Sequence, residues 1–173
     1  MNNPPTLYIF SGLPAVGKTT LAKKLSNSIK AAYLRIDTIE QGMRDLCHFK
    51  VEGEGYRLAY QLAKDNLTVG NNVVADSCNP VQLTRREWQE VATKANAYFV
   101  NIEIICSDKE IHKKRAISRN ADVSNLILPS WQDVIKREYD KWDEEHIIID
   151  TSEKTVAQCF SELKEKIDRL ERN

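Results

Sequence analysis

The feature that most narrows the fold is Gly12-Leu13-Pro14-Ala15-Val16-Gly17-Lys18-Thr19-Thr20, which satisfies the spacing G-x-x-x-x-G-K-[ST]. An apolar run, Thr6–Ser11, precedes it, and Leu21, Leu25 and Ile29 recur every fourth residue behind it. Strand, glycine-rich turn and helix in that order make a phosphate-binding loop. Gly12 and Gly17 let the backbone wrap closely around phosphate with N–H groups turned inward, and the following helix adds its positive N-terminal end. Lys18 is expected to reach the β- and γ-phosphates and the Thr19 hydroxyl to ligate Mg²⁺, so Gly12 through Thr20 are the expected nucleotide-binding residues. The plainer alternative is an ordinary strand-to-helix turn with a solvated lysine.

The rest of the chain repeats the alternation of short β-branched runs with helical periods that builds an α/β fold around a parallel sheet. Strands are predicted at Thr6–Ser11, Ala32–Ile36, Asn72–Asp76, Tyr98–Cys106 and His146–Asp150. Helices are predicted near Thr38–Cys47, Gly55–Val69, Pro80–Ala95, Asp108–Arg119 and Pro129–Lys141. Val156, Phe160, Leu163, Ile167 and Leu170 mark a final amphipathic helix.

The length of 173 residues suits one domain spanning 1–173. Lys plus Arg and Asp plus Glu both number 25, so no global field draws the chain to duplex nucleic acid or to an anionic membrane. The apolar stretches fall far short of the roughly 20 residues that cross a bilayer. Met1-Asn2-Asn3-Pro4-Pro5 lacks the basic start of a secretory leader, which makes the cytoplasm the expected compartment. Cys47, Cys78, Cys106 and Cys159 are widely spaced and are expected as reduced, mostly buried thiols. The expected assembly is a monomer or small homo-oligomer.

Three groups are candidate partners of the loop. Asp76 ends an apolar strand, where a carboxylate can hold the Mg²⁺ shell opposite Thr19; Asp-Ser-Cys-Asn-Pro is also good turn chemistry. Asp37 likewise follows a strand and is a candidate general base, although Asp37-Thr38-Ile39-Glu40 also fits a helix N-cap. Arg115 and Arg119, four apart in a run of five positive side chains and one negative, share a helix face from which both guanidinium groups can close over a transferring phosphoryl group. Charge runs are otherwise solvated, the reading given to Lys113 and Lys114.

Together with Arg35-x-Asp37, Asp76-x-x-Asn79, Arg85, Arg86, Arg115-x-x-x-Arg119 and Asp122-x-Ser124, the loop resembles the small P-loop kinases. Within these the chain resembles the predicted kinases related to the 5′-hydroxyl polynucleotide kinase domain, zeta toxins and chloramphenicol phosphotransferase. The resemblance implies a P-loop NTPase fold, a three-layer α/β/α arrangement with a five-stranded parallel sheet in the order 2-3-1-4-5. It also implies a helical lid at about 108–130, and Thr151-Ser152 near the adenine. ATP and Mg²⁺ are the implied cofactors, Lys18, Asp37, Arg115 and Arg119 the catalytic residues, and Thr19 and Asp76 the metal ligands. Polynucleotide kinases often carry paired acids where this chain has Asp37-Thr38. The expected activity is transfer of the γ-phosphoryl group to a hydroxyl of a small molecule or of a nucleic-acid 5′ end. The alternatives are ATP hydrolysis or a nucleotide-binding regulatory module with little turnover.

Overall fold

The computed structural model describes residues 4–170; Met1, Asn2 and Asn3, which enter the reading of the amino terminus, lie outside them. In chain order the elements are β1 (Thr6–Ser11), α1 (Lys18–Ile29), β2 (Ala32–Arg35), α2 (Ile36–Cys47), α3 (Glu54–Thr68) and β3 (Val73–Asp76). Then come α4 (Gln82–Lys94), β4 (Tyr98–Ile105), α5 (Lys109–Ser118), α6 (Trp131–Lys136), β5 (Ile147–Asp150) and α7 (Val156–Leu170). The strands form one parallel sheet in the order β2-β3-β1-β4-β5. That is the sheet the resemblance implied.

β1 is buried along its whole length because helices cover both faces of the sheet. Successive side chains point to opposite faces, so Tyr8 and Phe10 enter one core with Leu21 and Leu25 of α1 and Leu163 and Ile167 of α7. Leu7 and Ile9 enter the other with Ala59 and Ala63 of α3 and Trp88 of α4. Among the described residues no helix is long and apolar enough to cross a membrane.

Two of the differences from the expected helix boundaries have long-range causes. The helix expected at Thr38 starts at Ile36, directly after β2, because the Ile36 side chain is drawn into the core of α3 and α4. Arg35 is then the residue before the first turn, and no side chain caps this helix start. Asp37 therefore lies inside the first turn, and the N-cap reading is corrected. The helix expected over Pro129–Lys141 runs only from Trp131 to Lys136. Beyond it the chain is pulled out of helical form by Arg85, which donates to the carbonyls of Asp140 (2.9 Å) and Lys141 (3.4 Å). The same guanidinium lies over the Tyr139 and Trp142 rings. Arg85 is thus a structural clasp, 3% exposed. Cys106 and Cys159 are buried as expected, whereas Cys78 is half-buried and Cys47 is exposed.

Candidate active site

The phosphate loop joins β1 to α1 at the carboxyl edge of the sheet, where open α/β sheets bind ligands. Gly12 has φ +133°, and a Cβ there would stand 2.2 Å from the Ile104 carbonyl oxygen of β4. Only glycine allows both that conformation and that approach. Ala15 (φ 68°) and Gly17 (φ 102°) also adopt left-handed backbone, and alternating hands of this kind curl a loop into an anion-gathering concavity. The first turn of α1 adds amides that no intrahelical bond can satisfy. Lys18 is 9% exposed, and its Nζ donates to Leu13 O at 2.9 Å, folded back over its own loop. Gly12 N donates to Cys78 O at 3.1 Å, tying the loop to the end of β3.

A cleft of about 800 Å³ opens over this loop. It brings together Lys18, Thr19, Asp37, Asp76, Arg115 and Arg119, so residues 101 positions apart in sequence share one wall system. Asp76 is 4% exposed; its Oδ2 accepts from the Tyr33 hydroxyl at 2.6 Å and lies 4.0 Å from Arg35 Nε. Burial, followed by the Asp76 carboxylate, pushes the Tyr33 phenol well above its ordinary value, so it stays a hydrogen-bond donor. Asp37 is 57% exposed in its side chain and meets Arg35 Nη2 at 3.4 Å.

α5 ends at Ser118 and Arg119 is extended, so Arg115 and Arg119 do not share a helix face as expected, and their surroundings differ. Arg115 is committed to Thr151, with Nη1 donating to its hydroxyl and Nη2 to its carbonyl, each at 2.8 Å. The Thr151 hydroxyl in turn lies 2.8 Å from Val16 O, which links Arg115 to the phosphate loop. Arg119 has a buried Nε with no hydrogen-bond partner among the described residues. Burial pushes its guanidinium below the ordinary value, with Arg35 and Arg137 adding to the effect and Asp37 opposing it. Arg119 is thus a partly desolvated cation among the residues that line the cleft.

These features fit the cofactors the sequence implies. The loop without a Cβ at Gly12, the left-handed turns and the Arg119 donor suit a polyphosphate. Thr19 and Asp76 offer the hard oxygen donors that Mg²⁺ takes, one or two from the protein and the rest from phosphate and water.

Several groups in this region were not singled out from sequence. Arg35 appeared only as part of a motif, yet it is the hub: Nη1 meets both carboxylate oxygens of Asp122 at 2.8 and 2.9 Å. Burial alone would lower the Arg35 guanidinium, but Asp122, Asp37 and Asp76 outweigh it and hold it above its ordinary value. Asp122 also takes Lys23 Nζ at 2.7 Å, and Asn125 Nδ2 reaches Asp45 Oδ2 at 3.1 Å. The irregular segment 119–130 is therefore tied to α1, β2 and α2. Arg44 lines the cleft and pairs with Glu40 at 3.1 Å. Arg137 lines it as well, 3.7 Å from Cys78 Sγ.

The Asp122 tether has a pH consequence. Lys23, aided by Arg35, holds the Asp122 carboxyl at about 2, against an unfolded value of roughly 3.9. A depressed folded value gives stabilisation that is present above about pH 4 and lost as pH falls through about 2. Asp122 is 49% exposed, so the effect is expected to be local. Asp122→Asn should speed amide hydrogen exchange of residues 119–130 at neutral pH while changing the melting temperature little. Unchanged exchange in that segment would show that the tether does not hold it.

Comparison with known proteins follows the same lines. The AAA_33 family model, described as an AAA domain, matches residues 7–137. L-seryl-tRNA(Sec) kinase of Methanococcus maripaludis is 31% identical over 164 residues, 86% of this chain, which spans only 60% of that protein. Shikimate kinase of Bacillus cereus (strain AH187) is 26% identical over 170 residues, covering 94% of this chain and 98% of the relative. Among solved structures, Mycobacterium tuberculosis APS kinase CysC in complex with AMPPNP and APS superposes with a TM-score of 0.72 at 16% identity, covering 98% of this chain and 99% of the other.

Proposed function

The chain belongs to the AAA_33 family and, with it, to the small P-loop kinases, and from that membership we propose that it transfers the γ-phosphoryl group of ATP to a hydroxyl of a small-molecule acceptor. The observation that carries the reading is the convergence of Lys18, Asp37 and Arg119 on one cleft. A transferable phosphoryl group needs a cation at the leaving side, a base at the attacking side and compensation for equatorial charge, and these three residues supply them in turn.

In this reading the backbone from Gly12 to Thr20 cradles the phosphates, and Lys18 Nζ leaves Leu13 O for the β- and γ-oxygens. Asp37 accepts the acceptor's hydroxyl proton as the new O–P bond forms and the bond to the ADP oxygen breaks. Arg119 donates to the γ-phosphoryl oxygens. Arg115, held by Thr151, shapes the nucleotide side and acts on the loop through the Val16 carbonyl. Thr19 and Asp76 would hold Mg²⁺, which when bound neutralises phosphate charge and orients the β- and γ-oxygens. Residues of about 108–130 serve as a lid within a single domain.

A cleft of this volume suits ATP with a small acceptor, and residues of the tied segment 119–130 line it. Continuous measurement of ADP release tests the proposal against a panel of sugars, polyols, hydroxy acids and nucleosides, with 5′-hydroxyl oligonucleotides as a separate arm. Release stimulated by one small hydroxyl compound is the expected result. Release indifferent to every acceptor would replace transfer by hydrolysis.

A further inference from the structure

His112 sits in α5, one turn before Arg115, and is 6% exposed. Its Nε2 lies 2.8 Å from Pro14 O of the phosphate loop, 98 residues away in sequence. A carbonyl oxygen only accepts, so Nε2 must carry the proton. The ring also meets Trp131 of α6 edge to face, with centroids 5.1 Å apart. One imidazole thus touches the phosphate loop and the helices on both sides of the segment 119–130.

The direction of this contact matters. Pro14 and Ala15 line the cleft, whereas His112 does not, so His112 takes the Pro14 carbonyl from the side away from the cleft. In a trans peptide the C=O and the next N–H point in opposite directions, and no described peptide bond is cis. A Pro14 carbonyl held outward therefore turns the Ala15 N–H inward. Ala15 is also the non-glycine residue of this loop in left-handed backbone, at φ 68°, a conformation that needs support from its neighbours.

We propose that His112 is a positioning residue for nucleotide binding: its Nε2–H donor fixes the Pro14–Ala15 peptide so that the Ala15 amide faces the phosphates, and it links that orientation to α5 and α6, the helices that flank the segment 119–130. The inference rests on the nucleotide reading of the loop. It predicts that what matters at position 112 is a donor, not merely a filled space.

The test is calorimetric titration of the full chain with Mg·ADP. His112→Leu keeps bulk without a donor, and His112→Gln keeps a side-chain N–H. Loss of one aligned hydrogen bond should weaken ADP binding by about tenfold in His112→Leu. His112→Gln should stay within about threefold of the parent, with the two variants melting at similar temperatures. Equal affinity in all three proteins, or equal loss in both variants, overturns the proposal while leaving the nucleotide site intact. No ADP binding by the parent overturns the nucleotide reading and the proposal together. Should His112→Leu fail to fold, ring ¹⁵N shifts of the parent decide: a protonated Nε2 is expected, and an unprotonated Nε2 overturns it.

Discussion

Lys18→Ala is expected to reduce phosphoryl transfer by at least about 10²-fold and to weaken ATP binding strongly, while the protein stays folded. A preorganised donor in a partly dry site is worth about 10² to 10³ in rate, and a full charge opposite polyphosphate belongs at the upper end. Stability is expected to change little because the hydrogen bond of the Lys18 ammonium among the described residues is local, to Leu13 O in its own loop. Near-normal turnover in a folded Lys18→Ala protein would remove the phosphate loop from the reaction.

Asp37→Asn is the second large effect, and the structure sharpens it. Because α2 begins at Ile36 with no side-chain cap among the described residues, Asp37 contributes to stability through the helix dipole, its half-exposed pairing with Arg35 and its charge near Arg119. Such contributions are about 0.3 to 1 kcal/mol. Both Asp37→Asn and Asp37→Ala should therefore melt close to the parent and bind ATP as it does. Transfer should nevertheless fall about 10² to 10⁴-fold, the usual worth of a general base. Asn retains shape and hydrogen bonding but cannot take the proton. A rate within a few-fold of the parent at saturating ATP would assign the proton to another acceptor.

What was legible in the sequence is what is decided locally. The run Thr6–Ser11, the glycines at 12 and 17 and the spacing of Leu21, Leu25 and Ile29 each state a local preference that agrees with the final fold, and β1 and α1 form where those signals place them. The start of α2 was not legible because it is set by burial of Ile36 against α3 and α4. The end of α6 was hidden for a similar reason: Arg85 collects carbonyls 55 and 56 residues away.

The site divides in the same manner. The cleft gathers Lys18 at the start of α1, Asp37 and Asp76 at strand ends and Arg119 just past the helix after β4, all findable from topology. Arg35 and Asp122 are 87 residues apart, and nothing in either neighbourhood announces the pair. His112 lies in a lysine-rich helix with no sequence neighbour that marks it, and the packing of α5 beside the loop gives its imidazole a partner.

The account centres on direct transfer from ATP to a hydroxyl, and the fate of the γ-phosphorus tests it most directly. The chain would be incubated with Mg²⁺, γ-labelled ATP and the hydroxyl compound that best stimulates ADP release, and the products separated. Label is expected in a phosphomonoester of that compound, in amounts matching the ADP formed and abolished by Lys18→Ala. Label found in orthophosphate alone, at the same rate with or without the acceptor, would contradict it.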